Sequence, residues 1–129
     1  MARYSQANNE RGAAAVEMAL VLPMLIALVF GIIEFGRAYN AKLELSSAVR
    51  EGARSLAIGT PLAQITTTVS NAAAGLDPTK LTITTSGSPC APGGNATVTA
   101  SYPFTYTIPP FFTQATTTLT ASGAMRCEL

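Results

Sequence analysis

Between Met18 and Ile33 no charged side chain occurs, and Ala13, Ala14 and Ala15 extend this apolar run toward the N-terminus with one interruption, Glu17. A bilayer core about 30 Å thick needs roughly 20 helical residues, so the stretch from Ala13 to Ile33 is long enough to cross it. Such a segment has to be helical, because a lone apolar stretch away from water must satisfy its own backbone polar groups. Pro23 withdraws one backbone hydrogen bond, to the carbonyl of Ala19, and predicts a local kink. Glu17 sets a second constraint. A carboxylate near hydrocarbon costs roughly 3 kcal/mol or more, so it needs either the headgroup boundary or a cation. A cut between Gly12 and Ala13 would create that cation as a new α-amino group. A neighbouring copy would offer it, and the small residues at 13–15 permit close approach.

The helical pattern continues past Ile33. Ala38, Leu45, Ala48, Val49, Ala53 and Leu56 recur at helical spacings, while Glu34 with Arg37, and Glu51 with Arg54, stand three apart as potential ion pairs. The helix is expected to reach Ala57 or Ile58, and about 45 residues from Ala13 would extend roughly 70 Å, far beyond a bilayer. Its outer half must therefore pack on something else. Gly59 ends it, and Thr60 as N-cap with Pro61 at the first helical position opens a second helix. Leu62, Ile65, Val69 and Ala72 or Ala73 form the buried stripe of that helix, and Gly75 with Asp77-Pro78 ends it.

The remainder alternates as strands: Lys80 to Thr85, Asn95 to Tyr106, and Ala115 to Met125, the last with Thr117, Leu119 and Ala121 on one face. Pro103 demotes part of the middle run to an edge or a bulge. Residues 87–94 read as a loop. The economical arrangement is an α+β fold: a long N-terminal helix, a short second helix, and a small antiparallel sheet packed on the outer part of the first. Tyr102, Phe104 and Tyr106 read as core rather than contact surface. Pro109-Pro110-Phe111-Phe112 is the better site for exposed apolar contact. Asn95-Ala96-Thr97 matches a glycosylation sequon but opens a strand, and reads as structural.

Composition narrows the function. The 129 residues carry a formal charge of +1, and after Arg54 only Asp77, Lys80, Arg126 and Glu128 are charged, so there is no basic footprint for nucleic acid. The chain has no His, its only Asp precedes a proline, and no clustered ligands or glycine-rich phosphate loop mark a metal or cofactor site. Catalysis is not expected, and neither is a cofactor.

Gly12, followed by small or apolar residues up to Glu17 and preceded by Arg11, is similar to the class III signal of type IV prepilins, which a membrane aspartyl peptidase cleaves after the glycine. The fuller series adds Ala19-Leu20-Val21-Leu22-Pro23, Glu34-Phe35-Gly36-Arg37 and Arg50-Glu51-Gly52-Ala53-Arg54. From Arg11 to Arg54 it resembles a TadE-like protein, a pseudopilin or minor pilin of the tight adherence (Flp) pilus system. Met18 departs from the pattern, standing where aromatic residues are common.

The resemblance implies a leader over residues 1–12, with Gly12 and Ala13 flanking the scissile peptide. Glu17 becomes the acidic assembly residue five places into the mature chain. The long helix then covers residues 13–58, transmembrane over about 13–33 and amphipathic over 34–58, and residues 59–129 form a periplasmic α+β domain. Glu34, Arg37, Arg50, Glu51 and Arg54 are the charged positions offered for subunit contact. The implied partners are other pilin and pseudopilin subunits, a prepilin peptidase, the pilus assembly platform and the membrane.

Orientation does not follow from cationic residues alone. Arg3 and Arg11 precede the span, whereas Arg37, Lys42, Arg50 and Arg54 follow it, which favours the opposite topology. Prepilin cleavage and the two cysteines after the span, Cys90 and Cys127, favour a bacterial inner-membrane protein with a periplasmic C-terminal domain, extracellular once assembled into a pilus. A Cys90–Cys127 disulfide would contribute about 3 to 4 kcal/mol in the chain-entropy model, and two free buried thiols are the alternative. The rival function is an uncleaved, membrane-tethered binding or adhesin domain, with the Gly12–Ala13 bond intact.

Overall fold

A computed structural model describes residues 3–108 and 113–128, with side chains from Glu10 onward. Helix α1 spans Arg3–Ala57, α2 spans Leu62–Ala72, and strands β1 (Thr82–Ser86), β2 (Asn95–Ile108) and β3 (Thr113–Arg126) follow. The fold is α+β, as the alternating patterns require. The expected aromatic contact at Pro109–Phe112 lies outside the described residues.

At 1.5 Å per residue α1 is about 80 Å long. It begins upstream of the expected Ala13, because no Pro or Gly between Arg3 and Arg11 breaks the chain. It also passes through Pro23 without interruption. One lost hydrogen bond amid Leu, Met and Ala does not end a helix.

Every side chain from Glu10 to Ile33 is exposed. Burial begins at Ala38 and continues through Ala41, Leu45, Ala48, Val49, Ala53, Leu56 and Ala57, the three-and-four spacing of one helical face. The end of α1 is set by Gly59, whose φ is 86°. The Gly59 N–H donates to the Leu56 carbonyl at 3.1 Å, and the Thr60 N–H to that of Ser55 at 3.1 Å. These two bonds make a Schellman motif.

Thr60 does not cap α2. Pro61 occupies the N-cap position, no side chain caps the helix, and the Pro61 carbonyl accepts from the Gln64 N–H at 2.9 Å. Thr60 instead belongs to the end of α1, its N–H donating to the Ser55 carbonyl, and α2 starts one residue later than expected. The α2 stripe is Ile65, Val69 and Ala73, while Leu62 stays half exposed.

The sheet is antiparallel in the order β1-β2-β3. β2 and β3 pair along their whole length, from Asn95 opposite Arg126 to Ile108 opposite Thr113, but β1 covers β2 only from Thr97 to Ser101. Beyond Ser101 one side of β2 is open, which is where Pro103 is tolerated. Ala96, Val98, Ala100 and Phe104 point inward from β2 and Ala121 from β3, while Tyr102, Tyr106 and Leu119 pack partly buried at the margin. Of the alternating positions Thr117, Leu119 and Ala121, burial rises along β3: Thr117 is exposed, Leu119 partly buried and Ala121 buried.

Small residues bring α1 down onto β3. A Cβ on Gly123 would stand 2.7 Å from the Val49 carbonyl oxygen and 3.0 Å from the Arg50 nitrogen. Backbone on both sides cannot yield, so Gly123→Ala is expected to cost about 3 kcal/mol of stability. A Cβ on Gly52 meets mainly the Val69 methyl, at 2.5 Å, and a side chain can turn away. Gly52→Ala should therefore cost less, and denaturant midpoints of the two variants would rank them.

Candidate functional site: the bare helix and its junction with the head

Two regions of α1 carry the functional residues. Near the N-terminal end Gly12, Ala13, Val16, Glu17 and Leu20 share one face, set by the three-and-four spacing of a helix. The Gly12–Ala13 peptide is exposed there, and Glu17 is the only charged side chain from Gly12 to Ile33. The helix is long and apolar enough to cross a membrane.

The second region is where α1 meets the head. Glu34 and Arg37 form the i,i+3 pair expected from their spacing, Nη1 to Oε1 at 2.7 Å, with the Glu34 side chain 13% exposed and Arg37 54%. Glu34 does more than pair: its Oε2 accepts the backbone N–H of Thr107 at 3.1 Å. That N–H lies on the side of β2 that β1 leaves open, so Glu34 caps an unpaired sheet edge. Arg37 also lies over the Phe104 ring, 5.4 Å from its centroid. Lys42 braces the other strand, donating from Nζ to the Thr120 carbonyl. Thus charged side chains tie the turns of α1 just after the apolar span to β2 and β3, beside Ala38 and Ala41 of the buried stripe.

Arg50, Glu51 and Arg54 are exposed, and Glu51 makes no ion pair with Arg54 among the described residues. These three are not brought together with Glu34 and Arg37.

The sequence reading missed a stripe on the outward face. Phe35, Tyr39 and Leu43, spaced four apart, are exposed, Phe35 at 73%, and the Phe35 and Tyr39 rings stack at 6.4 Å between centroids. They prolong the apolar surface beyond Ile33. Their spacing of four, which places the three on one face, was the available signal. The partners of Glu34 and Arg37, Thr107 and Phe104, had no such signal, being some seventy residues distant.

At the far end of the head Cys90 and Cys127 are joined, Cα to Cα 5.6 Å, which ties the residue after β3 to the 87–94 loop. The Cys127 N–H also donates to the Gly94 carbonyl at 2.9 Å. Among the described residues no group of three or more His, Cys, Asp or Glu is placed to hold a metal.

Two carboxylates titrate below their usual range. The Thr107 N–H, then the Arg37 guanidinium, holds Glu34 down, and the Thr79 hydroxyl and N–H hold Asp77 down. A lowered folded value means that the charged form is favoured by folding. The stability so gained is present above the unfolded carboxylate range and is lost as pH falls through the lower folded values. Glu34→Gln should flatten this part of a stability-versus-pH curve measured by thermal melting, and a curve of unchanged slope would contradict the Glu34 contact.

Comparison with known proteins bears on the same helix. Residues 12–54, about a third of the chain, match the family described as TadE-like protein. No curated protein and no solved structure matches the chain. The helix that bares its apolar half and braces the head with the other is thus a TadE-like segment from Gly12 to Arg54, consistent with a TadE-like protein of the Tad pilus.

Proposed function

We propose that the chain is a pilin-like structural subunit, a pseudopilin or minor pilin of a Tad (Flp) pilus, that packs through α1 after a prepilin peptidase removes residues 1–12. The observation that carries this reading is the complete exposure of an apolar helix from Ala13 to Ile33 with one carboxylate in it. Lipid covers such a surface before assembly. Helices of neighbouring subunits cover it afterward, Glu17 pairing with a new Ala13 amine, and the Phe35, Tyr39 and Leu43 stripe continuing the contact above the bilayer. The head stays on the periplasmic side of the inner membrane, where the Cys90–Cys127 bond persists, and the assembly platform lifts the subunit into the fibre.

Cross-linking in native membranes, followed by mild detergent extraction, tests the reading. The expected product is a trimmed chain linked through residues 13–43 to pilin subunits. A solitary chain that still carries residues 1–12 would favour the tethered binding domain instead.

A further inference from the structure

The end of β2 at Ile108 lies beside the apolar half of α1. A cavity of about 240 Å³ separates them, walled by Gly31, Glu34 and Phe35 of the helix and by Tyr106, Thr107 and Ile108 of the strand. Gly31 belongs to the charge-free run that ends at Ile33. From Glu17 to Glu34 the helix rises about 26 Å, less than the roughly 30 Å of a bilayer core. Any placement of α1 across a membrane therefore puts Gly31 in hydrocarbon near the edge facing the head, with Ile108 level with it.

This end of the sheet has the chemistry to meet lipid. No charged residue occurs between Lys80 and Arg126, so neither β2 nor β3 up to Met125 carries a charge that would oppose contact with acyl chains. Ile108 is exposed. Hydrocarbon offers no hydrogen bonds, so a sheet edge can lie against it only where its backbone groups are answered within the protein. β1 leaves this edge open, and at this height the Thr107 N–H is answered by Glu34 Oε2 at 3.1 Å. The charge of Glu34 is in turn met by Arg37, and its side chain is only 13% exposed.

We propose that phospholipid acyl chains fill this cleft, so that β2 from Tyr106 to Ile108 rests in the boundary of the membrane that α1 crosses. Lipid is the occupant because the cleft is continuous with the bare helix surface of the span and lies at the same depth. Phe35 and Tyr106 suit that boundary, where aromatic side chains anchor membrane proteins. A second immersed element beside α1 limits how far the head can lean over the bilayer before assembly. The inference rests on α1 crossing a membrane and not on the pilus role.

Photolabelling of the full chain in phosphatidylethanolamine–phosphatidylglycerol vesicles, at a low ratio of protein to lipid, tests the contact. The probe is a phospholipid with a diazirine near the glycerol end of one acyl chain; light expels N2, and the carbene inserts into an adjacent bond. Peptide mapping should find adducts on residues 13–33 and on Tyr106–Ile108, and none on Thr97–Ser101, where β1 covers the strand. Ile108→Asp alters an exposed position and leaves the core intact. It should lower labelling of this strand end about tenfold and leave that of α1 unchanged. Labelling confined to α1, as when a second copy of the chain fills the cleft, or equal labelling of the Asp variant, overturns the inference. If residues 13–33 are unlabelled too, the spanning reading fails with it.

Discussion

Cells carrying Glu17→Gln are expected to show at least a tenfold loss of surface pili, with the amount of membrane-inserted chain unchanged. The two side chains have nearly the same shape, so packing of α1 survives the change. What is lost is charge. Glu17 stands exposed among Val16, Met18 and Leu20 and has no cationic partner among the described residues. Its insertion costs roughly 3 kcal/mol that the amide largely avoids, so the variant should enter the membrane at least as well as the natural chain. A defect confined to pilus formation would then report the missing ion pair between subunits. Electron-microscopic pilus counts beside membrane immunoblots measure both quantities, and normal pili in the variant would remove the basis for the pairing.

The second large effect is expected in the head. Replacing Cys90 and Cys127 together by Ser should lower stability by about 4 kcal/mol, the chain-entropy value for a cross-link of this span. The two cysteines are 37 residues apart, and the segment between them contains all of β2 and β3. Cys127 is buried, and the next residue, Glu128, donates its N–H to the Ala57 carbonyl at 3.3 Å, at the C-terminal end of α1. Without the disulfide, the end of β3 and the 87–94 loop are held to each other mainly by the Cys127 to Gly94 hydrogen bond. A domain this small has little apolar area in reserve to offset the loss. Urea titration of the full chain in detergent, with and without reductant, checks the magnitude, and coincident midpoints would contradict it.

Local periodicity made much of this molecule legible. The six α1 positions read from helical spacing, Ala38, Leu45, Ala48, Val49, Ala53 and Leu56, are all buried. Gly59 closes α1, and Ile65 and Val69 face the core, because each is fixed by a pattern a few residues long. The Glu34–Arg37 pair was legible for the same reason. The Thr60 cap was not, because α2 starts one residue later, with Pro61 at the N-cap position. The cap that Glu34 places on Thr107, the approach of Gly123 to Val49 and the cleft between Gly31 and Ile108 all join segments far apart in the chain. No short-range rule reaches them. They depend on how the helices and strands dock, which alternation of side chains leaves open.

The central claim is that the partner of Glu17 is made by proteolysis. N-terminal sequencing with intact-mass measurement of the protein from native membranes tests it most directly. A chain beginning at Ala13, with the two cysteines oxidised, is the predicted result. A chain beginning at Met1 or Ala2, with no trimmed species present, would contradict it.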